Sequence, residues 1–510
     1  MAISVLIGFF IVTVKRFLCL TSLVLLPLLA RAQDITWTEI PLPARDESST
    51  PSLTASRDGN IYAAWTEPGS DNSHHLLFTR FDRETDRWGV AQTITNGANW
   101  IINWADTPTL TAGLRGKLAV TWPVAGEGDG HAYQTWVSTS ADHGRTWTPP
   151  QPLSVESSVT EFASLAPLLN GDWLAVWLDG RAKPASANMQ LFSRVLGSAD
   201  PDTLVDERVC DCCSIATLVL PTGAVLTAYR DRDADEIRDM ALASYSKGAW
   251  TALPFPAADN WTIAGCPVNG PHLSRRGAQL AVAWYTGAND QPQVRTARST
   301  DIGRTWNPIV SIADPATKPR GAVASAVLRD GSQWTSWVES TGAIALRGLA
   351  ANGTLSAINR LPNTSAAGGR AGGVPRLVVL DNRNNEPARL LIIRTDPGSA
   401  ERPGHVTTHL ASIPVIATAD SLDDCGCGTD AAERGHALRG VIQDKLPQHE
   451  ALLVAHEEIP GVMMAMTMRF QVDPRVLPLV EKGQTILGQM EQREDDKWWL
   501  FNIRLTEPNS

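Results

Sequence analysis

A pattern of about fifty residues that recurs seven times constrains this chain more than any other feature. Each copy holds an apolar run, a turn carrying Gly or Asn, and a second apolar run that often ends in Trp. PSLTASRDGNIYAAW begins at Pro51, PTLTAGLRGKLAVTW at Pro108, ASLAPLLNGDWLAVW at Ala163 and CSIATLVLPTGAVLTAY at Cys213. PHLSRRGAQLAVAW from Pro271, ASAVLRDGSQWTSW from Ala324 and PRLVVLDNRNNEPARLLII from Pro375 complete the series, at spacings of 50 to 58 residues. A lone hairpin cannot bury its apolar face, whereas stacked repeats can. Four short strands per repeat predict an all-β chain whose larger part is a β-propeller, with seven blades favoured and six possible. The segment Thr36 to Pro43 is similar to the outer strands that follow Trp147 and Trp250 but has no hairpin of its own. It is expected to close the ring on the last blade.

The outer half of the repeat has its own motif. Ser140 to Trp147 and Ser299 to Trp306 both read S-x-D-x-G-x-T-W, with weaker relatives ending at Trp88 and Trp250. Asp and Gly accept hairpin-turn geometry, and the Ser, Asp and Thr side chains satisfy backbone donors. This motif resembles the Asp-box, or BNR repeat, of sialidases, and the resemblance spans about 34–416. An active retaining sialidase needs three arginines to grip a carboxylate, an Asp acid/base and a Tyr nucleophile polarised by Glu. Here Ser49-Thr50-Pro51 stands where the resemblance places the first arginine, and Ala322 to Ser325 replaces the stretch holding the Tyr. Arg230, Glu236, Arg238 and Glu339 are what remains of a catalytic set, so the propeller is expected to be non-catalytic. The alternatives are an exo-sialidase or other glycoside hydrolase using Asp233, Glu236 or Glu339 as acids, and an interaction scaffold.

Two apolar runs, Ala2 to Val14 and Phe17 to Leu29, flank Lys15 and Arg16 and precede Ala30-Arg31-Ala32. This is the layout of a secretory signal cleaved after Ala32, or of an uncleaved anchor if it is retained. Export would put Cys210, Cys212, Cys213, Cys266, Cys425 and Cys427 in an oxidising compartment, where disulfides are expected. Cys210-Asp211-Cys212-Cys213 opens the fourth repeat and Cys266 precedes the fifth, so these thiols should converge near the axis. A thiolate site for a soft metal is the other reading of the same residues. A net charge of -10 argues against a nucleic-acid partner.

After Ile416 the repeat stops. The segment 417–434 is small, acidic and Gly-containing, with Cys425-Gly426-Cys427 inside it, and reads as a linker. Strand-like runs follow at 437–446, 451–457, 466–472, 485–491 and 498–505, with 473–482 as a loop or short helix, which predicts a five-stranded OB-like barrel. Four of the 8 methionines fall between Met463 and Met468, ten residues or so after His456. Met466 and Met468 alternate along a strand, so both face one side about 7 Å apart. One imidazole with two or three thioethers is a soft, neutral donor set suited to Cu(I). His456 followed by Met466-Thr467-Met468 closely resembles CusF-type periplasmic copper chaperones over roughly 435–506. That resemblance implies copper ligation by His456, Met466 and Met468. Met463 holds the place where some members carry a Trp, and is a candidate fourth thioether. Trp498 or Trp499 is a candidate shield, and His436 and His449 are expected to face solvent.

The resulting expectation is a signal peptide at 1–32, a sialidase-like propeller at 33–416, a linker at 417–434 and a CusF-like barrel at 435–507. The chain should handle or deliver periplasmic copper, exchanging it with a donor or acceptor protein, and meet a membrane only if its N-terminal segment stays uncleaved.

Overall fold

Seven hairpin repeats become seven small antiparallel sheets. The computed structural model describes residues 35–126, 133–183, 188–361, 372–380, 387–399, 401–414, 416, 436–459, 463–492 and 497–505. The predicted signal segment and linker, with Cys425 and Cys427, lie outside them. The chain divides into two compact units, Met1–Ser421 and Leu422–Ser510.

In the first unit the inner hairpins are Ser49–Ala55 with Ile61–Pro68, Thr109–Ala112 with Leu118–Ala125, Thr160–Pro167 with Trp173–Asp179 and Ala216–Val219 with Val225–Arg230. His272–Arg276 with Gln279–Thr286, Gly321–Val327 with Gln333–Val338 and Arg376–Leu380 with Arg389–Asp396 make the other three. The innermost strands of successive blades touch in order, and the seventh touches the first, so the ring is a closed seven-bladed propeller. Its last blade is completed by Trp37–Ile40, which pairs with His405–Ser412 as the sequence predicts. The first blade gains a fifth strand, Gln92–Ala98, which shares Ser73–Asp82 with the short Arg87–Trp88.

Second strands such as Trp173–Asp179 are buried along their whole length, because each is sandwiched between neighbouring blades. Their tryptophans are the wedges. Trp65 packs on Leu391 and Ile393 of the seventh blade, Trp177 on Ala119 and Val137 of the second, and Trp284 on Leu226 and Leu242 of the fourth. Each removes about 200 Å² from water, on the order of 5 kcal/mol before ordering costs. Two of these fully buried indoles have their N–H groups satisfied, Trp65 donating to Glu67 and Trp177 to Asp179, both at 2.8 Å, whereas those of the equally buried Trp334 and Trp337 find no partner among the described residues. The two S-x-D-x-G-x-T-W segments form the same turn. In each, the Asp carboxylate accepts the Thr backbone N–H at 2.9 Å, and the Ser hydroxyl accepts the Gly N–H at 2.9 and 2.8 Å.

The second unit is a closed barrel with strand order His436–Leu446, Ala451–His456, Met466–Gln471, Trp498–Leu505, Thr485–Gln492. A 3-10 helix, Pro474–Leu479, occupies the predicted loop. Period-two alternation sends Leu438, Ile442, Leu452, Val454, Phe470, Ile486 and Met490 into one core.

Candidate functional site

The remaining catalytic candidates of the propeller are all committed to other partners. Arg230 ends a second strand at 1% exposure, and its guanidinium donates to main-chain carbonyls: Asn269 at 3.1 and 3.0 Å, Arg238 at 2.6 Å and Tyr285 at 2.8 Å. Trp261 covers one face of it at 4.9 Å, so no edge is left for a substrate carboxylate. Glu236 accepts from Arg232 at 2.6 Å and Arg238 at 2.8 Å, and these bonds hold its carboxyl down at about 2, which leaves no proton to donate near neutral pH. Glu339 is buried on another blade, with both oxygens taken by Arg360 at 2.9 Å. Asp233 ties its own turn by accepting the N–H groups of Asp235 and Ile237.

Other acids occupy the axial end of the propeller, and the repeat pattern did not reveal them. Asp106 lies just before the inner strand of the second blade and Glu161 is the second residue of that of the third, and the Tyr133 hydroxyl is in hydrogen-bonding contact with both. Asp106 lines a cavity of about 250 Å³ together with Phe162, Asn269, His272 and Arg376. Burial, reinforced by Glu161, pushes Asp106 up to about 8. Burial pushes Glu161 up to about 7 against the pull of Lys183 and Tyr133, with Asp211 and Cys266 adding negative field. The only sequence signal was position, an acid at the start of an inner strand, and that signal carries no chemistry until the ring closes.

This pair has a consequence for stability. A carboxyl whose folded-state value is raised holds its proton longer than the unfolded chain does, so its unfavourable contribution is absent in acid and complete above the folded value. The propeller should therefore lose several kcal/mol of stability as pH rises from about 4 to about 8. Calorimetry of the full chain should show its propeller transition falling over that window, and Glu161→Gln with Asp106→Asn should flatten the dependence. A wild-type transition independent of pH would contradict the assignment.

The predicted convergence of thiols is present, without disulfides among the described residues: Cys210, Cys212, Cys213 and Cys266 are free. Cys210 Sγ lies 3.6 Å from Cys213 Sγ and 3.9 Å from Cys212 Sγ. Hydrogen bonds from Cys212 and Cys213, with the Arg238 guanidinium, hold Cys210 well below the usual thiol range. The hydrogen bond from Cys212 brings Cys266 down to about 7.

In the barrel, register brings the His/Met residues together. Leu452 faces Phe470, Val454 faces Met468 and His456 faces Met466 across one antiparallel pair. Period two puts all six on the same side of the sheet, a row that begins in the core and ends at the barrel mouth. His456 is 4% exposed, packs edge-on against Phe470 at 5.8 Å, and its Nδ1 is 2.7 Å from the Glu457 carbonyl oxygen. That contact assigns the proton to Nδ1 and leaves a lone pair on Nε2, which is buried and has no hydrogen-bond partner. Gly440 sits opposite His456, where a Cβ would lie 2.6 Å from Val454 Cγ1 and 2.8 Å from the Ala455 carbonyl, so only glycine lets the strands approach there. Met463 is tied back by reciprocal bonds with Ile459, 2.9 and 3.1 Å, and packs against the barrel core beside Met468. Met464 and Met466 are 77% and 52% exposed, so core filling does not account for them.

Residues 435–504 match the family described as copper binding periplasmic protein CusF. No curated protein matches the chain. Among solved structures, the BP39L lectin from Burkholderia pseudomallei is 13% identical, with 73% of this chain and 100% of that one covered and a TM-score of 0.47. An alpha-L-arabinanase of Penicillium chrysogenum in complex with arabinobiose is 11% identical, with 76% and 99% covered and a TM-score of 0.40. Likenesses this weak carry no argument about function.

Within the CusF-like barrel, His436 and His449 are exposed, as expected of histidines outside the donor row. The predicted shield is placed elsewhere: Trp499 lies beside Gln471, at the opposite end of its strand from Met466, and Trp498 pairs with Gln492 and packs on the core. The mouth of the CusF-like barrel is thus built of His456 and methionines, with Met463 on the core side.

Proposed function

We propose that this chain is a periplasmic copper-handling protein whose barrel binds Cu(I) through His456, Met466 and Met468, with Met463 as a further soft donor. The observation that carries this reading is the orphaned Nε2 of His456, buried and facing Met466 across the strand pair. An imidazole fixed by a backbone carbonyl on its other nitrogen is the usual state of a metal-ligating histidine. Neutral nitrogen and thioether donors favour a soft monovalent ion and give hard cations little. The exposure of Met466 suits transfer to or from a donor or acceptor protein, and the signal-like segment at 1–32 together with the CusF match supports the periplasm as its place. The propeller serves as a docking body and not as a sialidase.

The test is metal selectivity in the full chain with its thiols alkylated, under anaerobic reducing conditions. It should hold Cu(I) against a cuprous chelator while Zn(II) and Mg(II) wash out. Retention of Zn(II) with loss of Cu(I) would overturn the reading.

One observation favours a second reading, a carbohydrate-cleaving propeller. Asp106 and Glu161 keep their protons near neutral pH, and Asp106 shares its cavity with Arg376. Turnover of a glycoside panel, abolished by Glu161→Gln, would support it; no turnover by the wild-type chain would remove it.

A further inference from the structure

The propeller holds a second donor set that the barrel does not use. Cys210, Cys212 and Cys213 have sulfurs that all lie within 4.8 Å of one another. A metal–sulfur bond of about 2.3 Å puts the sulfurs of a trigonal site about 4.0 Å apart, close to the 3.6 and 3.9 Å seen here. The loop that carries them is pinned at both ends. The Cys210 N–H donates to the Arg230 carbonyl at 3.0 Å, Val209 bridges Asp231, and the Asn269 N–H donates to Cys213 Sγ at 3.4 Å. Cys210 and Cys213 are buried, Cys212 is half-buried, and the exposed Cys266 neighbours Cys212. The thiols thus form a path from solvent to a closed end.

We propose that Cys210, Cys212 and Cys213 form a trigonal Cu(I)-thiolate site in the propeller, with Cys266 as the entry ligand that hands the ion inward. Charge favours the monovalent ion. Three thiolates around Cu(I) carry a net charge of minus two, and two buried guanidiniums stand by to balance it. Arg238 donates to Cys210 Sγ at 3.5 Å, and Arg230, 1% exposed, acts electrostatically on Cys213. A divalent ion in the same three-sulfur shell would leave the cluster one positive charge in excess. Loading releases the thiol protons to solvent and changes no oxidation state.

The site belongs to the propeller unit and is tested with the barrel ligands removed. In a full chain carrying His456→Ala, Met466→Ala and Met468→Ala, anaerobic titration with Cu(I) should give the ultraviolet thiolate-to-copper band and saturate at a single equivalent. Adding Cys212→Ser should weaken that binding by at least about 100-fold while the propeller's thermal transition stays in place. Cys266→Ser should leave the endpoint unchanged and slow the loading. A folded, fully reduced, barrel-silenced chain that develops no thiolate band overturns the proposal. So does tighter binding of Zn(II) than of Cu(I) by the same cysteines.

Discussion

Replacing His456, Met466 and Met468 together by alanine should lower the Cu(I) affinity of the thiol-alkylated chain by at least about 1,000-fold. Loss of a mere outer-shell partner costs metal sites about 10- to 100-fold, and here three direct donors go. The barrel should survive, because Met466 is exposed and the His456 Nε2 satisfies no protein group. Single variants should rank by what they remove. His456→Ala takes the only nitrogen and the pre-set orientation, and should cost more than Met463→Leu, whose core packing persists. Competition against a cuprous chelator reads the affinity, and an unchanged affinity in the triple variant would falsify the ligand assignment.

Phe470→Ala should unfold the barrel while sparing the propeller. Phe470 is fully buried, faces Leu452 across the strand pair and packs edge-on against His456. Truncating a buried phenylalanine costs about 3–5 kcal/mol. A single core of about 70 residues rarely supplies more than that in net stability. In the full chain, limited proteolysis should therefore clear the barrel from the variant and leave the propeller intact, and Cu(I) binding by the alkylated protein should vanish with it. A barrel that resists protease as the wild type does would show that its stability comes from elsewhere.

The blades were legible because each repeat has to bury one face twice over, so the apolar runs and closing tryptophans such as Trp65 and Trp177 had no other solution. The same holds for the barrel, whose strands lie within a residue or two of the runs read from the sequence, and for Trp37–Ile40, an outer strand lacking a hairpin of its own. The His456/Met466/Met468 set was legible because period two and an antiparallel return suffice to align it. What the sequence could not show depends on ring closure and on the far ends of long side chains. Arg230 and Glu236 look like catalytic remnants until the backbone carbonyls and the arginines that occupy them are in view. Asp106 and Tyr133 belong to the second blade and Glu161 to the third, and the carboxyls are raised only when the two blades pack together. The cysteines read first as disulfides and only second as a thiolate site, and their placement beside Arg238 appears only once the blades are packed.

The central claim is that one imidazole and neighbouring thioethers share a soft ion, and the methionine methyl spectrum of the full chain measures this most directly. On titration with Cu(I), the methyl signals of Met466 and Met468 should shift and saturate together with the ring signals of His456. With the propeller thiols alkylated, the methyl signals of Met189 and Met240 in the propeller and of Met490 in the barrel core should stay where they are. Methyl signals of Met466 and Met468 that remain unmoved at saturating Cu(I) would contradict the account.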